Sequence, residues 1–544
     1  MTRLSGASEF YAEHHLRRCE GRPIPGTPAT VAGALVEAAS RQLNIVALAD
    51  RRRQLTYAEL AVAADRAATA YGDAGLRSLD SVAVSLPNTI DVVVSFLGAM
   101  RAGLLWVGIN THLAPPEKAF MLEDSGASLL LAEARTLESL SVHGTRVERL
   151  EVEIEKPGAW WDGASEHVCD LDTLDPFAPA AIAYTSGTTG RPKGVVHSQH
   201  NMLMPAVAIT RAVPRPLVQG VSLPLTILNM QILGPVQSIL CGGVCVPMDR
   251  VDVGGVAEWV SEFAIQRMYS TPPTVYDLLT RDDIDPSALA SLTHLGVGGA
   301  KCPNELRERY RQRFGRDFVF GYGLTEAPTA VTGYVEEGEV APLGSSGRAR
   351  DYVSITVRDE NGDVLETGTE GEICVGATSE GPLAGCYTTM LGYWDRPEAT
   401  DAALRGGVLH TGDVGVIDAD GMLWVRDRRS ELIIRGGANV YPAEVERVLE
   451  ALPEIAEAAV VGREHPRLGE EVVAFVAFAP GSQLEPQKLT EACLAELAAY
   501  KAPVAWYAVA QFPRNAMGKV VKPRLREWLA ADEPTDGNLA VRRL

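Results

Sequence analysis

Short apolar segments that alternate with helical patterns limit the folds open to this chain. The segment SVAVSLP at 81–87 has strand character, and DVVVSFLGAMRAG at 91–103 has helical periodicity and ends on glycine. Further apolar strand patterns occur at 104–110, 127–133, 181–186, 242–248, 294–300 and 318–323. Strands separated by helices favour an α/β fold with parallel sheets covered by helices. Ligands bind beyond the carboxyl ends of such strands, so the Gly-, Ser- and Thr-rich turns there are the first candidates for a site.

The pattern changes after residue 345. Turn signals at Asn361–Gly362 and Asp420–Gly421 indicate β-hairpins. Beyond Arg429 the sequence has a compact α+β pattern, and the charged run RDRRSE at 426–431 separates the two regions. The sequence therefore predicts a large domain over 1–426 and a small α+β domain over 430–544.

Charge and composition exclude several classes of protein. Fifty Lys and Arg against seventy Asp and Glu give a net charge of −20, which disfavours nucleic acids and anionic membranes as partners. The uncharged segment 216–248 contains four prolines, which favours buried core elements over a membrane-spanning helix. The eight cysteines are scattered and predict no disulfide framework. The N-terminus has no apolar signal segment, so we expect a cytoplasmic protein.

The most specific local signal is YTSGTTGRPKG at 184–194, which directly follows an apolar strand pattern. Glycines let backbone N–H groups approach phosphate oxygens, hydroxyl groups add donors, and a lysine adds positive charge. The segment is not a Walker A loop, because Lys193 is followed by Gly194. The pattern predicts a phosphate-binding loop that contains Thr185, Ser186, Gly187, Thr188, Thr189, Gly190 and Lys193.

Six further motifs follow one another in a characteristic order. They are LTYAEL (55–60), VSLPN (84–88), GYGLTE (321–326), HTGDVG (410–415), DRRSELIIRGGANVYPAEVE (427–446) and PRNAMGK (513–519). With the phosphate loop, they make the sequence resemble the adenylate-forming superfamily of acyl-CoA synthetases, luciferases and peptide-synthetase adenylation domains. The resemblance covers nearly the whole chain. It implies a large N-terminal domain of two sheet-helix subdomains plus a β-subdomain, and a small mobile C-terminal domain.

The resemblance implies an ATP site residue by residue. The loop at 185–193 would hold the β- and γ-phosphates, and Thr325 would donate to the α-phosphate. Glu326 would hold Mg²⁺, a hard cation that binds carboxylate and phosphate oxygen. Asp413 would accept hydrogen bonds from both ribose hydroxyls. The other implied nucleotide contacts are Tyr322 on the adenine, Gly299 and Ala300 beside it, and Arg428 at the ribose.

Lys519 is implied as the catalytic residue of the first step, together with Thr325 and Glu326. Attack of a carboxylate on the α-phosphate brings two anions together. A lysine that contacts both offsets their repulsion and stabilises the charge that develops.

The second step would let the same centre accept a thiol. In the family the C-terminal domain rotates for this step, and residues 427–429 fall where the hinge lies, with Asp427 as the hinge residue. Glycines would line the tunnel for the pantetheine arm of coenzyme A, because a side chain would block it. The implied CoA-binding residues are Arg435, Gly436 and Gly437, with Arg463 and Arg467 as further partners for the nucleotide phosphates.

The sequence departs from the family pattern at the acyl pocket. Ile227 stands where many relatives carry a histidine that gates the pocket, and amino-acid-activating relatives carry an aspartate nearby. An apolar residue cannot pair with an α-ammonium group, which argues against an α-amino acid. Lys301 after the GGA segment is a second departure. The implied pocket residues are Ile227, Leu228, Met230, Gly298 and Gly323, and the apolar neighbours Ile232, Leu233, Ala327 and Pro328 favour a hydrophobic acid.

The sequence thus predicts an acid–CoA ligase that uses ATP, Mg²⁺ and coenzyme A. Its substrate would be an alicyclic, aromatic or medium-chain carboxylic acid. Two alternatives keep the fold: the chain performs only thioesterification of an acyl-adenylate, or it acylates a carrier protein. A non-catalytic acyl or nucleotide sensor is a third. The family also suggests a homodimer.

Overall fold

The computed structural model describes residues 4–141, 147–165, 171–186, 192–213, 215–250, 252–281, 283–298, 304–333, 342, 344–428, 432–513, 520–530 and 541–544. The strands are β1 (Val46–Ala49), β2 (Gln54–Thr56), β3 (Ser81–Ser85), β4 (Leu105–Gly108), β5 (Leu129–Ala132), β6 (Glu148–Glu151), β7 (Pro179–Ser186), β8 (Pro192–Ser198), β9 (Val218–Val221), β10 (Val244–Pro247), β11 (Arg267–Ser270), β12 (His294–Val297), β13 (Val319–Phe320), β14 (Thr332–Gly333), β15 (Arg348–Ala349), β16 (Val353–Arg358), β17 (Gly371–Ala377), β18 (Gly392–Tyr393), β19 (Leu409–Ile417), β20 (Leu423–Arg428), β21 (Ile433–Arg435), β22 (Ala438–Val440), β23 (Ile455–His465), β24 (Gly469–Phe478), β25 (Ala505–Val509) and β26 (Val541–Arg543).

The helices are α1 (Leu4–Glu13), α2 (Val31–Arg41), α3 (Tyr57–Asp73), α4 (Ile90–Ala102), α5 (Pro115–Asp124), α6 (Ala134–Ser141), α7 (Gln199–Ala212), α8 (Leu228–Gln231), α9 (Gln237–Cys241), α10 (Val253–Phe263), α11 (Pro272–Thr280), α12 (Asn304–Phe314), α13 (Pro397–Ala403), α14 (Pro442–Glu450), α15 (Pro486–Glu496) and α16 (Lys522–Ala530). A π-helical turn, Ile232–Val236, joins α8 to α9.

Two large sheets form the body of the chain. The first has the strand order β13-β12-β11-β9-β10-β1-β2 and the second β18-β8-β7-β4-β3-β5-β6. Both are parallel in their centres, which confirms the prediction from the alternating pattern. The pairs β1–β2, β7–β8 and β8–β18 are antiparallel. The connections within β1–β2 and β7–β8 are too short for the crossover that a parallel pair requires.

Helix α4 shows how the sequence places elements between the sheets. Every residue from Ile90 to Arg101 is buried, so the helix is enclosed on all sides. It ends at Gly103, which has a left-handed φ of +65° and donates its N–H to Ala99 O. Helix α3 packs closely against it, since a Cβ on Gly98 would lie 2.6 Å from Cβ of Ala67.

Two smaller sheets follow. Strands β16-β17-β19-β20 form an antiparallel sheet, and β22-β21-β24-β25-β26, with β23 on β24, form the sheet of the small domain. The predicted turn at Asp420–Gly421 joins β19 to β20, with Gly421 at a φ of +76°. The predicted strand at 318–323 is limited to β13, because the segment beyond it turns back and Gly323 pairs with Ala330.

The uncharged segment 216–248 forms β9, α8, the π-helical turn, α9 and β10 inside the large domain. Over the described parts of the chain, the structure contains no helix long and apolar enough to span a bilayer. The cysteines within those parts are free thiols.

A buried ionic cluster joins the small domain to the large one. Glu117, in the first turn of α5, accepts hydrogen bonds from the backbone N–H of Ala114 at 2.8 Å and of Ala498 at 2.7 Å. Lys501 Nζ lies 2.6 Å from Glu117 and 2.8 Å from Glu444. We call Glu117, Lys501 and Glu444 the interdomain cluster. On the surface, Arg467 of the small domain pairs with Asp277 of α11 at 2.6 Å.

Candidate active site

The segment predicted to bind phosphate has strands at both of its ends that pair as a hairpin. Its strand prediction is confirmed, since Thr185 on β7 lies opposite Lys193 on β8, and Ser186 is the last residue of β7. The turn that would hold phosphate, with Gly187, Thr188, Thr189 and Gly190, lies outside the described residues. The hairpin ladder therefore fixes both ends of the segment.

Lys193, Glu326 and Tyr393 lie together beside this hairpin. The Tyr393 hydroxyl donates to Glu326 Oε1 at 2.8 Å, and Lys193 Nζ lies 5.1 Å from the centre of the Tyr393 ring. Burial raises the pKa of Glu326, and the hydrogen bond from Tyr393 opposes this shift. Burial lowers the pKa of Lys193, which the charge of Glu326 opposes. The two charges thus stabilise one another in a half-buried site.

Tyr322 and Asp413 meet on the nucleotide side. Both are buried, with 7% and 6% of their surfaces exposed, and the Tyr322 hydroxyl donates to Asp413 Oδ2 at 2.6 Å. Arg428 lies opposite Asp413 in the β19–β20 ladder, while its side chain lies outside the described part. Thr325 directly precedes Glu326 and is half-buried. The structure therefore brings Tyr322 and Asp413 together, 91 residues apart in sequence.

Glu372 supports the turn that carries Asp413. Its carboxylate accepts from Gly412 N at 3.2 Å and from Arg405 Nη2 at 2.7 Å, and it lies 2.9 Å from His410 Nδ1. Burial would raise the pKa of Glu372, but His410, Arg405 and the Gly412 N–H outweigh it and the pKa is lowered. Gly412 has a φ of +74°, a conformation that suits glycine. Sequence reasoning did not identify Glu372, because its partners come from another strand.

The residues expected to line the acyl pocket divide between core and surface. Leu228 and Met230 are buried, whereas Ile227, just before α8, exposes 43% of its surface. Gly298, at the end of β12, faces open space, and a Cβ on Gly323 would lie 2.0 Å from Thr329 O. Gly299, Ala300 and Lys301 lie outside the described residues. Strands β11, β12 and β13 are parallel neighbours, so their carboxyl ends bring Thr271, Gly298 and the GYG turn to one edge of the sheet.

Two family profiles match the chain over most of its length. The profile described as AMP-binding enzyme matches residues 35–394, and that described as AMP-binding enzyme C-terminal domain matches residues 444–519. The chain belongs to the AMP-binding enzyme family. This membership, with relatives named as CoA ligases, places it in the acyl-CoA synthetase branch of the adenylate-forming superfamily.

The AMP-binding enzymes similar to this chain include two CoA-thioester-forming proteins. A feruloyl-CoA synthase from an Amycolatopsis species is 34% identical over 477 residues, which cover 87% of this chain and 93% of that protein. A long-chain-fatty-acid–CoA ligase from Mycobacterium tuberculosis is 31% identical over 493 residues, which cover 88% of this chain and 94% of that protein.

Two solved structures of one bacterial enzyme differ in their likeness to this AMP-binding enzyme. An o-succinylbenzoate CoA synthetase from Bacillus subtilis, as a double mutant bound with a product analogue, gives a TM-score of 0.81 at 29% identity, covering 93% of this chain and 99% of that chain. The Bacillus subtilis enzyme in complex with its acyl-adenylate intermediate gives 0.65 at 29% identity, covering 92% and 98%.

The small domain of this AMP-binding enzyme approaches the same edge through a glycine hairpin. Gly436 and Gly437 have φ values of +65° and +86°, and a Cβ on Gly437 would lie 2.6 Å from Cγ2 of Thr271. Arg435 donates to Tyr500 O at 2.7 Å, and burial lowers its pKa. The two further arginines expected to contact CoA are already paired, Arg463 with Glu471 and Arg467 with Asp277.

The remaining expected residues are the hinge residue Asp427 and the catalytic residue Lys519. Asp427 pairs with Val414 near the end of β20, and the next described strand, β21, belongs to the other sheet. Lys519 lies outside the described residues. The motifs did not point to Tyr393, Glu372 or the interdomain cluster, since each acts through a partner far away in sequence.

Proposed function

We propose that this AMP-binding enzyme activates a hydrophobic carboxylic acid as an acyl-adenylate and transfers the acyl group to the thiol of coenzyme A. The observation that carries the proposal is the convergence of Glu326, Lys193 and Asp413 in one site. Family membership over both domains supports it. So do the names of the relatives, which include ligases for fatty, ferulic and succinylbenzoic acids.

In the first half-reaction, we assign the ATP phosphates to the β7–β8 hairpin with Lys193 and the α-phosphate to Thr325. Asp413 accepts from the ribose hydroxyls, and Arg428 lies beside it. Glu326 fits the Mg²⁺ that ATP brings, because Oε1 accepts from Tyr393 while Oε2 has no hydrogen-bond partner among the residues described. When bound, Mg²⁺ supplies positive charge to the phosphates.

Lys519 remains the residue we propose for the chemical step. Its ammonium group would contact both the attacking carboxylate and the α-phosphate, and would stabilise the charge that develops between them. The carboxylate oxygen forms a bond to the α-phosphorus, and pyrophosphate leaves with the bonding electrons.

In the second half-reaction, the CoA thiol attacks the acyl carbon and AMP leaves. Gly437 lies against Thr271, and Gly436 and Gly437 would admit the pantetheine arm, with Arg435 beside them. The higher TM-score with the product-analogue complex than with the adenylate complex supports this arrangement as the thioester-forming one. Residues 427–429, with Asp427, are the proposed hinge to the other arrangement.

The acid is proposed to be alicyclic, aromatic or medium-chain. The buried Leu228 and Met230 offer apolar surface, and the exposed Ile227 provides no carboxylate for an α-ammonium group. We extend the proposal to a cytoplasmic homodimer, in keeping with the family resemblance. Light scattering that gives the mass of one chain would contradict the dimer.

The decisive experiment measures pyrophosphate release from MgATP across a panel of apolar acids, with and without CoA. We expect release that depends on one class of acid, thioester when CoA is present, and loss of release in Lys519→Ala. A Lys488→Ala variant, which removes an exposed lysine of α15 in the same domain, is the matched control and should retain release. Thioester from preformed acyl-adenylates, without release from any free acid, would contradict the first half-reaction and favour thioesterification alone.

A further inference from the structure

A narrow pocket lies beside Met230, one of the residues expected to line the acyl pocket. It is lined by Gly220, Val221, Met230, Leu233, Gly234 and Tyr269. Most of this lining is apolar, and the Tyr269 hydroxyl is its polar side-chain group. The π-helical turn supplies Leu233 and Gly234, so an irregular helix forms one wall.

A buried guanidinium, with no carboxylate partner among the described residues, lies behind this pocket. Arg267 exposes 3% of its surface and stands two residues before Tyr269 on β11, so both side chains lie on one face of the sheet. Within the described part of the chain, no carboxylate lies at ion-pairing distance from Arg267. Burying an unpaired charge is costly. The residue therefore differs from Arg101 and Arg307, which are equally buried but paired with Asp65 and Asp317.

The Gln237 side chain links Arg267 to Tyr269. One orientation of its amide satisfies both ends: the carbonyl accepts from Arg267 Nη1, and the NH₂ donates to Leu233 O at 3.0 Å and to Tyr269 Oη at 3.1 Å. In the opposite orientation the NH₂ would face the donors of Arg267. The hydrogen bonds of this relay therefore share one direction: Arg267 donates to Gln237, and Gln237 donates to Tyr269.

The relay leaves the Tyr269 proton for a ligand. With the Gln237 amide in this orientation, the Tyr269 oxygen accepts from its NH₂ group, and among the described residues no other hydrogen-bond partner lies at this hydroxyl. Burial raises the pKa of Tyr269, while the positive charges of Arg267 and Arg350 act against that shift. The hydroxyl is therefore a donor at the pocket wall with two cations near it.

We propose that the acid activated here carries an oxygen acceptor at the end remote from the reacting carboxylate, and that this oxygen accepts a hydrogen bond from Tyr269. A carboxylate or a keto oxygen meets this requirement, and the charges of Arg267 and Arg350 favour the carboxylate. This inference rests on the proposed function and adds the substrate class. It makes Tyr269 a specificity-determining residue and Arg267 a positioning residue that orients it through Gln237.

The test compares three acids of one skeleton: a phenylalkanoic acid, its para-acetyl derivative and its para-carboxy derivative. Pyrophosphate release with MgATP gives kcat/KM for each. We expect the oxygen-bearing acids to exceed the plain acid at least about tenfold, because a buried donor left unpaired is strongly discriminated against. In Tyr269→Phe this ratio should fall to about one while kcat/KM for the plain acid changes less than about twofold. Tyr507→Phe, in the small domain, is the matched control.

An Arg267→Met variant tests whether the remote oxygen belongs to a carboxylate or to a keto group. It removes the charge and keeps the volume, so it should reduce the preference for the carboxy acid over the acetyl acid. Equal kcat/KM for all three acids in the wild-type enzyme, or equal losses for all three in Tyr269→Phe, would overturn the inference.

A binding measurement separates failure of this inference from failure of the proposed function. If no acid supports pyrophosphate release, titration calorimetry measures binding of the same three acids without turnover. Tighter binding of the oxygen-bearing acids to the wild-type enzyme, lost in Tyr269→Phe, would still support the pocket assignment. Equal binding of all three would contradict it.

Discussion

Tyr393 contacts both charged side chains of the candidate site, Glu326 and Lys193. Burial raises the pKa of Glu326, and the hydrogen bond from the Tyr393 hydroxyl opposes this shift. Lys193 lies over the same ring. Tyr393 therefore positions a carboxylate and a lysine at once, although it lies 67 residues from Glu326.

Replacement of Tyr393 by Phe tests this arrangement, since the ring below Lys193 is kept and the hydrogen bond is lost. The pKa of Glu326 should rise, so the acid limb of the pH profile for pyrophosphate release should move to higher pH. At neutral pH we expect kcat/KM to fall about tenfold, the value of a hydrogen bond to a charged group. A profile that falls in height without moving would contradict the effect on Glu326.

The pairing register of β17 and β19 sets where Glu372 lies relative to Asp413. Strand β17 shifts its pairing with β19 between Glu372 and Cys374. Glu372 pairs with Val414 and Cys374 with His410, so the extra residues, which include Asp413, lie on β19. A bulge of this kind re-aims a side chain, and Glu372 supports it by accepting from the Gly412 N–H. The carboxylate proposed to bind the ribose is thus presented by an irregularity in its own strand.

Glu372→Gln should weaken this support and raise KM for ATP. Because the folded-state pKa of Glu372 is lowered, its contribution to stability is present above the unfolded value of 4.5 and is lost as the pH falls towards the folded value. Chemical denaturation should show the variant about 1–3 kcal/mol less stable at neutral pH. The difference in free energy of unfolding should shrink in acid, and a constant difference would contradict the role of its charge.

The close packing of helices α3 and α4 leads to a second prediction about single elements. Gly98→Ala would place a methyl group 2.6 Å from Cβ of Ala67, which should destabilise the protein by about 1–3 kcal/mol. Gly72→Ala is the matched control in α3, because its Cβ would meet nothing within 4 Å. That change should stabilise the protein by up to about 1 kcal/mol. Denaturant midpoints measure both, and equal shifts would contradict the close crossing.

At the scale of the whole molecule, the interdomain cluster fixes one arrangement of the domains. Glu117 serves two functions: it caps α5 and it binds Lys501 of the small domain. Both groups are buried, so the pair is screened by water much less than a surface pair. Rotation of the small domain would separate them and leave Lys501 with Glu444.

Glu117→Gln should therefore disfavour this arrangement and slow thioester formation by about tenfold, the effect of about 1.4 kcal/mol. Adenylate formation should change little, because the partners of Glu117 are Ala114, Ala498 and Lys501, none of which is assigned to ATP. Single-turnover measurements of the two half-reactions check this. Arg467→Gln is the control, since its exposed pair with Asp277 should matter by less than about 1 kcal/mol. Equal effects of both variants on thioester formation would contradict a special role for the cluster.

The sequence predicted the parts of this molecule that depend on local pattern. The central parallel strands, α4 with its terminal glycine and the hairpin at Asp420–Gly421 follow from short-range periodicity and turn chemistry. The family motifs pointed to Glu326, Asp413 and Tyr322, and the structure brings the last two into contact. Tyr393, Glu372 and Glu117 could not be predicted, because each acts through a partner on a different element. Antiparallel pairs such as β8–β18 depend on contacts nearly two hundred residues apart.

The π-helical turn at Ile232–Val236 bears on how such a protein could acquire new substrates in evolution. It forms one wall of the pocket beside Met230 and carries none of the residues assigned to ATP, Mg²⁺ or coenzyme A. Changes in that turn or in Tyr269 can alter which acids are accepted while the chemistry stays intact. After gene duplication, a copy could diverge in substrate by a few substitutions in one short segment.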